Sequence, residues 1–410
     1  GESSRVYTSG IAHHLYSAGR VVEAGRTARA LMTAGDAAHA LYATEEAVQH
    51  YHRALEVLHE EGADEATRHV ARELLADLLG LLGERAVAME HYETLTVVHD
   101  SPRGTVEHAR ISRKMGALHW QAGDRSQAMA CYQRALQAFE GSPAHVETAQ
   151  LYQELGWAAF RSGDNPQAIE WSERALHSAK LALMEAPSAT PGAQKAALAT
   201  IAHANNTIGV ALARSGDLDG AREQIEASVT AARELGLLDV ACRGYANLGV
   251  LYSTVEPKRA IDVSLTGLDL ASKIGAPSLQ SYIYANLAAA YCALTDRCET
   301  EGLQAARASA DLDRRLGQLD HLAVPLIVMA QIYQCRGEVQ TAQQNYEEAL
   351  VLAEQAAEPQ LILPCYDGLA TIYLDRGDKV RAEQYMEKAR ELCDRTGLDP
   401  DTFLLLPFLS

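Results

Sequence analysis

The sequence predicts an all-α fold, and within that class a right-handed α-solenoid of about ten tandem helical hairpins. Three observations lead there. First, seven glycines stand five residues before an alanine: Gly19/Ala24, Gly83/Ala88, Gly123/Ala128, Gly163/Ala168, Gly216/Ala221, Gly337/Ala342 and Gly377/Ala382. Second, each side of the turn carries a helical stripe. After the alanine come a large residue four positions on and a small one three beyond that, as in Ala128/Tyr132/Ala135, Ala47/Tyr51/Ala54 and Ala342/Tyr346/Ala349. That spacing lines one face of a helix. Seven positions before the turn lies a small residue (Gly116, Gly156, Gly209, Ala330, Ala370), which lets a second helix approach closely. Third, alanine and leucine dominate and alternating runs of β-branched residues are absent, so a sheet has no source.

The hairpins centre near Gly19, Tyr42, Gly83, Gly123, Gly163, Gly216, Val255, Thr295, Gly337 and Gly377. In four of them the glycine is followed by aspartate (Gly123-Asp124, Gly163-Asp164, Gly216-Asp217, Gly377-Asp378). In the seventh and eighth, Pro257 and Thr295-Asp296 replace the turn glycine. The interval from Gly123 to Gly163 is 40 residues, whereas Gly163 to Gly216 is 53, so an insertion interrupts the array. Residues 184–195, with two prolines, a glycine and hydroxyls, read as that exposed loop. The expected division is a first array over 1–183, the loop at 184–195, a second array over 196–397 and an apolar tail at 398–410. A chain of 410 residues would overfill one globular core, while stacked units each touch only their neighbours.

Tyr245, Leu248-Gly249 and Tyr252, together with Ala342, Tyr346 and Ala349, resemble the pattern of the tetratricopeptide repeat family over nearly the whole chain. The amino-terminal stretch narrows this. Ile11-Ala12-His13-His14-Leu15, Ala18-Gly19, Ala34-Gly35-Asp36-Ala37-Ala38, Ala43-Thr44-Glu45-Glu46-Ala47 and Tyr51-His52-Arg53-Ala54-Leu55 resemble a junction in large bacterial regulators. There a switch ATPase of the STAND type, in LuxR-type activators or cyclase-linked proteins, precedes tetratricopeptide repeats. The resemblance implies a scaffold or sensor arm. No Gly-x-x-x-x-Gly-Lys-Ser/Thr loop is present to cradle a triphosphate, and the chain begins at Gly1, as a fragment would.

Thirty-six basic and fifty-four acidic residues give a net charge of −18, which repels nucleic acid. The seven cysteines are never spaced Cys-x-x-Cys and read as reduced packing residues of a cytoplasmic protein. No run of eighteen apolar residues marks a membrane span. His13-His14 lacks further ligands at metal spacing, and no nucleophile elbow, dinucleotide fingerprint or His-Glu-x-x-His occurs. Neither a catalytic role, a metal nor a cofactor is expected.

Projecting first helices onto the concave face that this family exposes gives the candidate binding residues. They are Arg110, Arg113 and Trp120; Gln150, Gln153, Trp157, Phe160 and Arg161; His203, Asn206 and Arg214; and Arg243 with Asn247. Arginine forks and aromatic faces suit recognition of a peptide or protein bearing acidic groups. In the competing reading the aromatics plug contacts between superhelical turns and the arginines pair with glutamates such as Glu107 and Glu154. The alternative function is small-molecule sensing for an attached switch ATPase or activator. The tail Leu398–Ser410 could cap the last hairpin, dock into another copy, or continue into a further element.

Overall fold

A helix can reverse into its partner only if its last carbonyls and the partner's first amides are satisfied, and the Gly-Asp steps do both. Gly163, Gly216 and Gly377 take positive φ (85°, 90° and 77°), the left-handed conformation that ends the first helix. The next backbone N–H then reaches back across the turn: Asp164 N to Ala159 O at 3.0 Å, Asp217 N to Leu212 O at 3.0 Å and Asp378 N to Tyr373 O at 2.9 Å. The aspartate carboxylate caps the second helix, accepting from Gln167 N (3.0 Å), Gly220 N (2.9 Å) and Arg381 N (3.1 Å) respectively.

The computed structural model describes residues 2–59, 64–98, 106–139, 145–185, 190–253, 255–293 and 296–397. Among these every regular element is helical. The α-helices are α1 (Glu2–Ser17), α2 (Ala24–His39), α3 (Thr44–Val57), α4 (Glu65–Leu81), α5 (Arg85–Val98), α6 (Val106–Gln121), α7 (Arg125–Phe139), α8 (Val146–Arg161), α9 (Asn165–Glu185) and α10 (Pro191–Arg214). They continue as α11 (Leu218–Glu234), α12 (Leu238–Ser253), α13 (Pro257–Lys273), α14 (Pro277–Ala293), α15 (Leu303–Leu316), α16 (Leu319–Cys335), α17 (Val339–Gln355), α18 (Pro359–Asp375) and α19 (Lys379–Thr396). From α2 onward they form nine successive hairpins, α2/α3 to α18/α19, with α1 packed on α2. The chain divides into two compact units, residues 1–122 with 126–138, and 123–125 with 139–410. No described helix is long and apolar enough to cross a membrane.

Three expectations are corrected. Gly19, at φ 56°, opens a 3-10 turn (Gly19–Val21) in the link between α1 and α2, and Ala24 is the first residue of α2 rather than a buried residue within it. The loop at 184–195 is shorter than its composition suggests. α9 runs to Glu185 and α10 starts at Pro191, with Thr190 Oγ1 accepting from Ala193 N at 3.3 Å as its cap. The long interval arises because these two helices have 21 and 24 residues. Finally, Cys292 and Cys298 form a disulfide at the end of α14, beside a π-helical turn (Cys298–Gly302). Cys131, Cys242 and Cys365 are buried and outside any disulfide. The tail at 398–410 lies outside the described residues.

In the second unit one apolar core runs from Ala159 and Phe160 to Leu392. Its first helices are covered on nearly every side. In α12 all residues from Val240 to Ser253 are buried except Arg243, and in α16 the run from His321 to Ala330 is buried throughout. Small residues permit this. A Cβ on Gly209 would stand 2.5 Å from Ile225 Cγ1, so the helix faces touch at glycine distance.

Candidate functional site

The residues projected onto the inner face divide between the two units. In the first, Arg110 Nη2 meets Glu73 Oε2 at 2.9 Å, and Lys114 Nζ bridges Glu73 (2.7 Å) and Asp77 (2.6 Å). Burial raises the Glu73 carboxyl, but Lys114 and Arg110 outweigh it and hold the group below its ordinary value. Arg113 and Trp120 are buried. The acidic partners lie one hairpin earlier, in α4, not at Glu107.

In the second unit, eight of the predicted residues are placed within two groups. The first group is half-buried. Gln150, Gln153 and Trp157 occupy one face of α8, His203 sits on α10 and Arg243 on α12. The Arg161 and Arg243 guanidinium carbons stand 5.7 Å and 5.4 Å from the Trp157 ring centroid, within cation–π range. Burial lowers the His203 pKa, Asp239 opposes the shift and Arg243 adds to it, so the imidazole is favoured neutral. Trp157 also tilts against Phe160, with ring centroids 5.4 Å apart.

The second group is buried and surrounds a carboxylate. Arg161 and Arg125 both donate to Glu358 Oε1, Arg125 at 2.7 Å. Gln360 Nε2 donates to Glu358 Oε2 (3.2 Å) and to the Arg161 carbonyl (3.0 Å). Arg214 Nη1 donates to the Phe160 carbonyl at 2.9 Å, and its guanidinium carbon lies 3.7 Å from the Phe160 ring centroid. Glu358 is 1% exposed and Gln360 1%, with Arg161 at 7% and Arg214 at 6%. Burial and the like charge of Arg161 push Arg214 down to about 9, against the pull of Glu358. Arg161 therefore pairs with a glutamate 197 residues away.

Two further polar arrangements escaped sequence reasoning. Asn206 and Asn247 bond to each other, Asn247 Nδ2 to Asn206 Oδ1 at 2.9 Å, and Asn286 Nδ2 donates to Ala246 O at 2.9 Å. These buried amides tie α10, α12 and α14. Ser281, Asp313 and His321 also meet: the serine hydroxyl donates to Asp313 Oδ1 (2.5 Å), and His321 Nδ1 faces Asp313 Oδ2 (2.8 Å). Nucleophilic catalysis needs the histidine between serine and aspartate. Here the serine bonds the aspartate itself and all three are buried, so the cluster joins α14, α15 and α16. Among the described residues no group of three His, Cys, Asp or Glu could hold a metal ion.

This geometry can now be compared with known proteins. A tetratricopeptide repeat family model matches residues 107–180 and 321–395. The solved structure of a Rap protein complexed with Competence and Sporulation Factor is similar at a TM-score of 0.63 and 12% identity, covering 91% of this chain and 99% of that one. The Rap conjugation gene regulator of the plasmid pLS20, in complex with the Phr* peptide, is similar at 0.55 and 14%, covering 90% and 95%. The apo form of RapI is similar at 0.50 and 14%, covering 70% and 98%. At these identities the likeness shows the fold alone. No curated protein matches in sequence. Residues 107–180 and 321–395 match the tetratricopeptide repeat, and the other described helices of this all-α chain pair in the same hairpin pattern.

Proposed function

We propose that the second unit captures a peptide, or an extended segment of a protein partner, and that the chain serves as a scaffold or sensor arm of a bacterial signalling protein without doing chemistry. The observation that carries this is Trp157, half-buried and bracketed by the guanidiniums of Arg161 and Arg243. An indole held by two cations, beside Gln150, Gln153 and His203, offers apolar area, amide donors and positive charge on one ledge. Such aromatic and arginine clusters dominate binding surfaces because they bury area with little rotamer loss. Two features support the reading: two structures sharing the fold were solved with Competence and Sporulation Factor or the Phr* peptide bound, and residues 11–58 resemble the junction following a switch ATPase. Cationic side chains at the ledge favour a segment bearing carboxylates.

The test begins with peptides selected from a displayed random library on the full chain. Affinity is then measured for the Trp157→Ala and Arg243→Glu variants. Losing an anchor of this kind costs about 2 kcal/mol or more, so each variant should bind at least thirtyfold more weakly with unchanged helical circular dichroism. Unaltered affinity in both variants would remove the ledge from the account.

A further inference from the structure

The cluster around Glu358 is built as a receptor for an anion. Two guanidiniums, those of Arg125 and Arg161, bond a single carboxylate, and a third, that of Arg214, lies beside them on the Phe160 carbonyl within the field of Arg161 and Glu358. Arg214 Nε is buried and has no hydrogen-bond partner, so donor capacity beside Glu358 exceeds what that carboxylate satisfies. Arg125 is the exposed edge, with 18% of its side chain open, and gives the pocket a rim.

The carboxylate's own segment is under tension. At the junctions between hairpins the helix ends on a left-handed residue, which is glycine at Gly236 (φ 66°), Gly275 (64°) and Gly317 (65°). The next amide closes the turn, as in Leu237 N to Ala232 O at 2.8 Å and Gln318 N to Asp313 O at 2.9 Å. Before α18 the same turn is closed by Glu358 N to Ala353 O at 3.1 Å, but the left-handed residue is Ala357, φ 51°. An alanine Cβ disfavours that conformation. Strain of this kind persists where surrounding contacts enforce it, and here those contacts are the arginines.

We propose that Arg125, Arg161 and Arg214 form a carboxylate-binding socket, that Glu358 occupies it from within the chain, and that an acidic side chain of a bound peptide takes the place of Glu358. The ligand's identity as a peptide rests on the function proposed above, while the socket's chemistry rests on the contacts around Glu358 alone. Displacement frees Ala357 from its left-handed conformation and unties α8 from the start of α18. Ligand capture is thereby coupled to a rearrangement between helices far apart in sequence.

The experiment uses the full chain and fluorescein-labelled hexaglutamate, followed by fluorescence anisotropy at fixed salt, with succinate as a free dicarboxylate in a parallel titration. Glu358→Gln empties the socket of its internal charge and should tighten hexaglutamate binding at least tenfold. Adding Arg214→Gln to that variant should abolish the gain. The proposal is overturned if Glu358→Gln keeps its helical circular dichroism without any gain, if the gain survives Arg214→Gln, or if succinate binds the emptied socket while hexaglutamate does not. Should Glu358→Gln fail to fold, Glu358→Asp retains the charge but withdraws it by one methylene. That variant should still bind hexaglutamate at least threefold tighter than the wild type, and no gain there overturns the proposal equally. Trp157→Ala and Arg243→Glu separate the two readings. Selected peptides that bind these variants normally contradict the ledge, yet leave an Arg214-dependent gain in hexaglutamate binding as evidence for the socket.

Discussion

Ala357 shows at a single residue how this chain departs from its own rule. Glycine serves at Gly236, Gly275 and Gly317, where no Cβ opposes positive φ, and alanine stands in the same turn before α18. Left-handed backbone costs a non-glycine residue about 1–2 kcal/mol, and glycine returns part of that through its freer unfolded state. Ala357→Gly should therefore stabilise the protein by about 0.5–1 kcal/mol, read as a higher midpoint in urea with an unchanged slope. A lower midpoint would mean that Ala357 is not strained. Nothing in the sequence announces the position, because Ala356-Ala357-Glu358 contains no turn residue. Glu358 was equally invisible: its role depends on Arg125 and Arg161, and one of these lies 197 residues away.

At the scale of the element the sequence was more readable. The five-residue step from glycine to alanine follows from a left-handed turn, a cap and a helix whose first buried residue comes one turn in. The small residue seven before the turn works as the spacing implied. In α6, a Cβ on Gly116 would lie 2.6 Å from Tyr132 Cε1 and 2.8 Å from Cδ1, against a ring that is 1% exposed. Gly116→Ala should cost about 1–3 kcal/mol as the pair is forced apart. Gly10→Ala in α1, with nothing within 4 Å of its added Cβ, should be neutral or stabilising. Equal effects of the two substitutions on the thermal midpoint would contradict close packing as the reason for glycine in α6. Composition misled where an element boundary depended on a cap: the prolines and hydroxyls at 184–195 suggested a loop, and Thr190 instead caps a helix that starts at Pro191.

Across the molecule, repeat spacing fixed which helices are neighbours in sequence but not which side chains meet across the inner face. The predicted set accordingly mixes buried residues (Arg113, Trp120, Phe160, Arg161, Asn206, Arg214 and Asn247) with half-buried ones (Arg110, Gln150, Gln153, Trp157, His203 and Arg243). A net charge of −18 gave no hint that two arginines meet on one buried carboxylate with a third beside them. Alanine and glycine bring the first helices of the second unit so close that their inner positions become core. The recognition proposed for this chain is thereby confined to edges such as the Trp157 ledge. The indole itself can report whether this edge takes a ligand. In a Trp120→Phe/Trp171→Phe chain, Trp157 is the single remaining tryptophan. Its emission, recorded while a library-selected peptide is titrated in, should shift saturably and in step with the anisotropy of the labelled peptide. Peptide binding that saturates with Trp157 emission unchanged would contradict capture at this ledge.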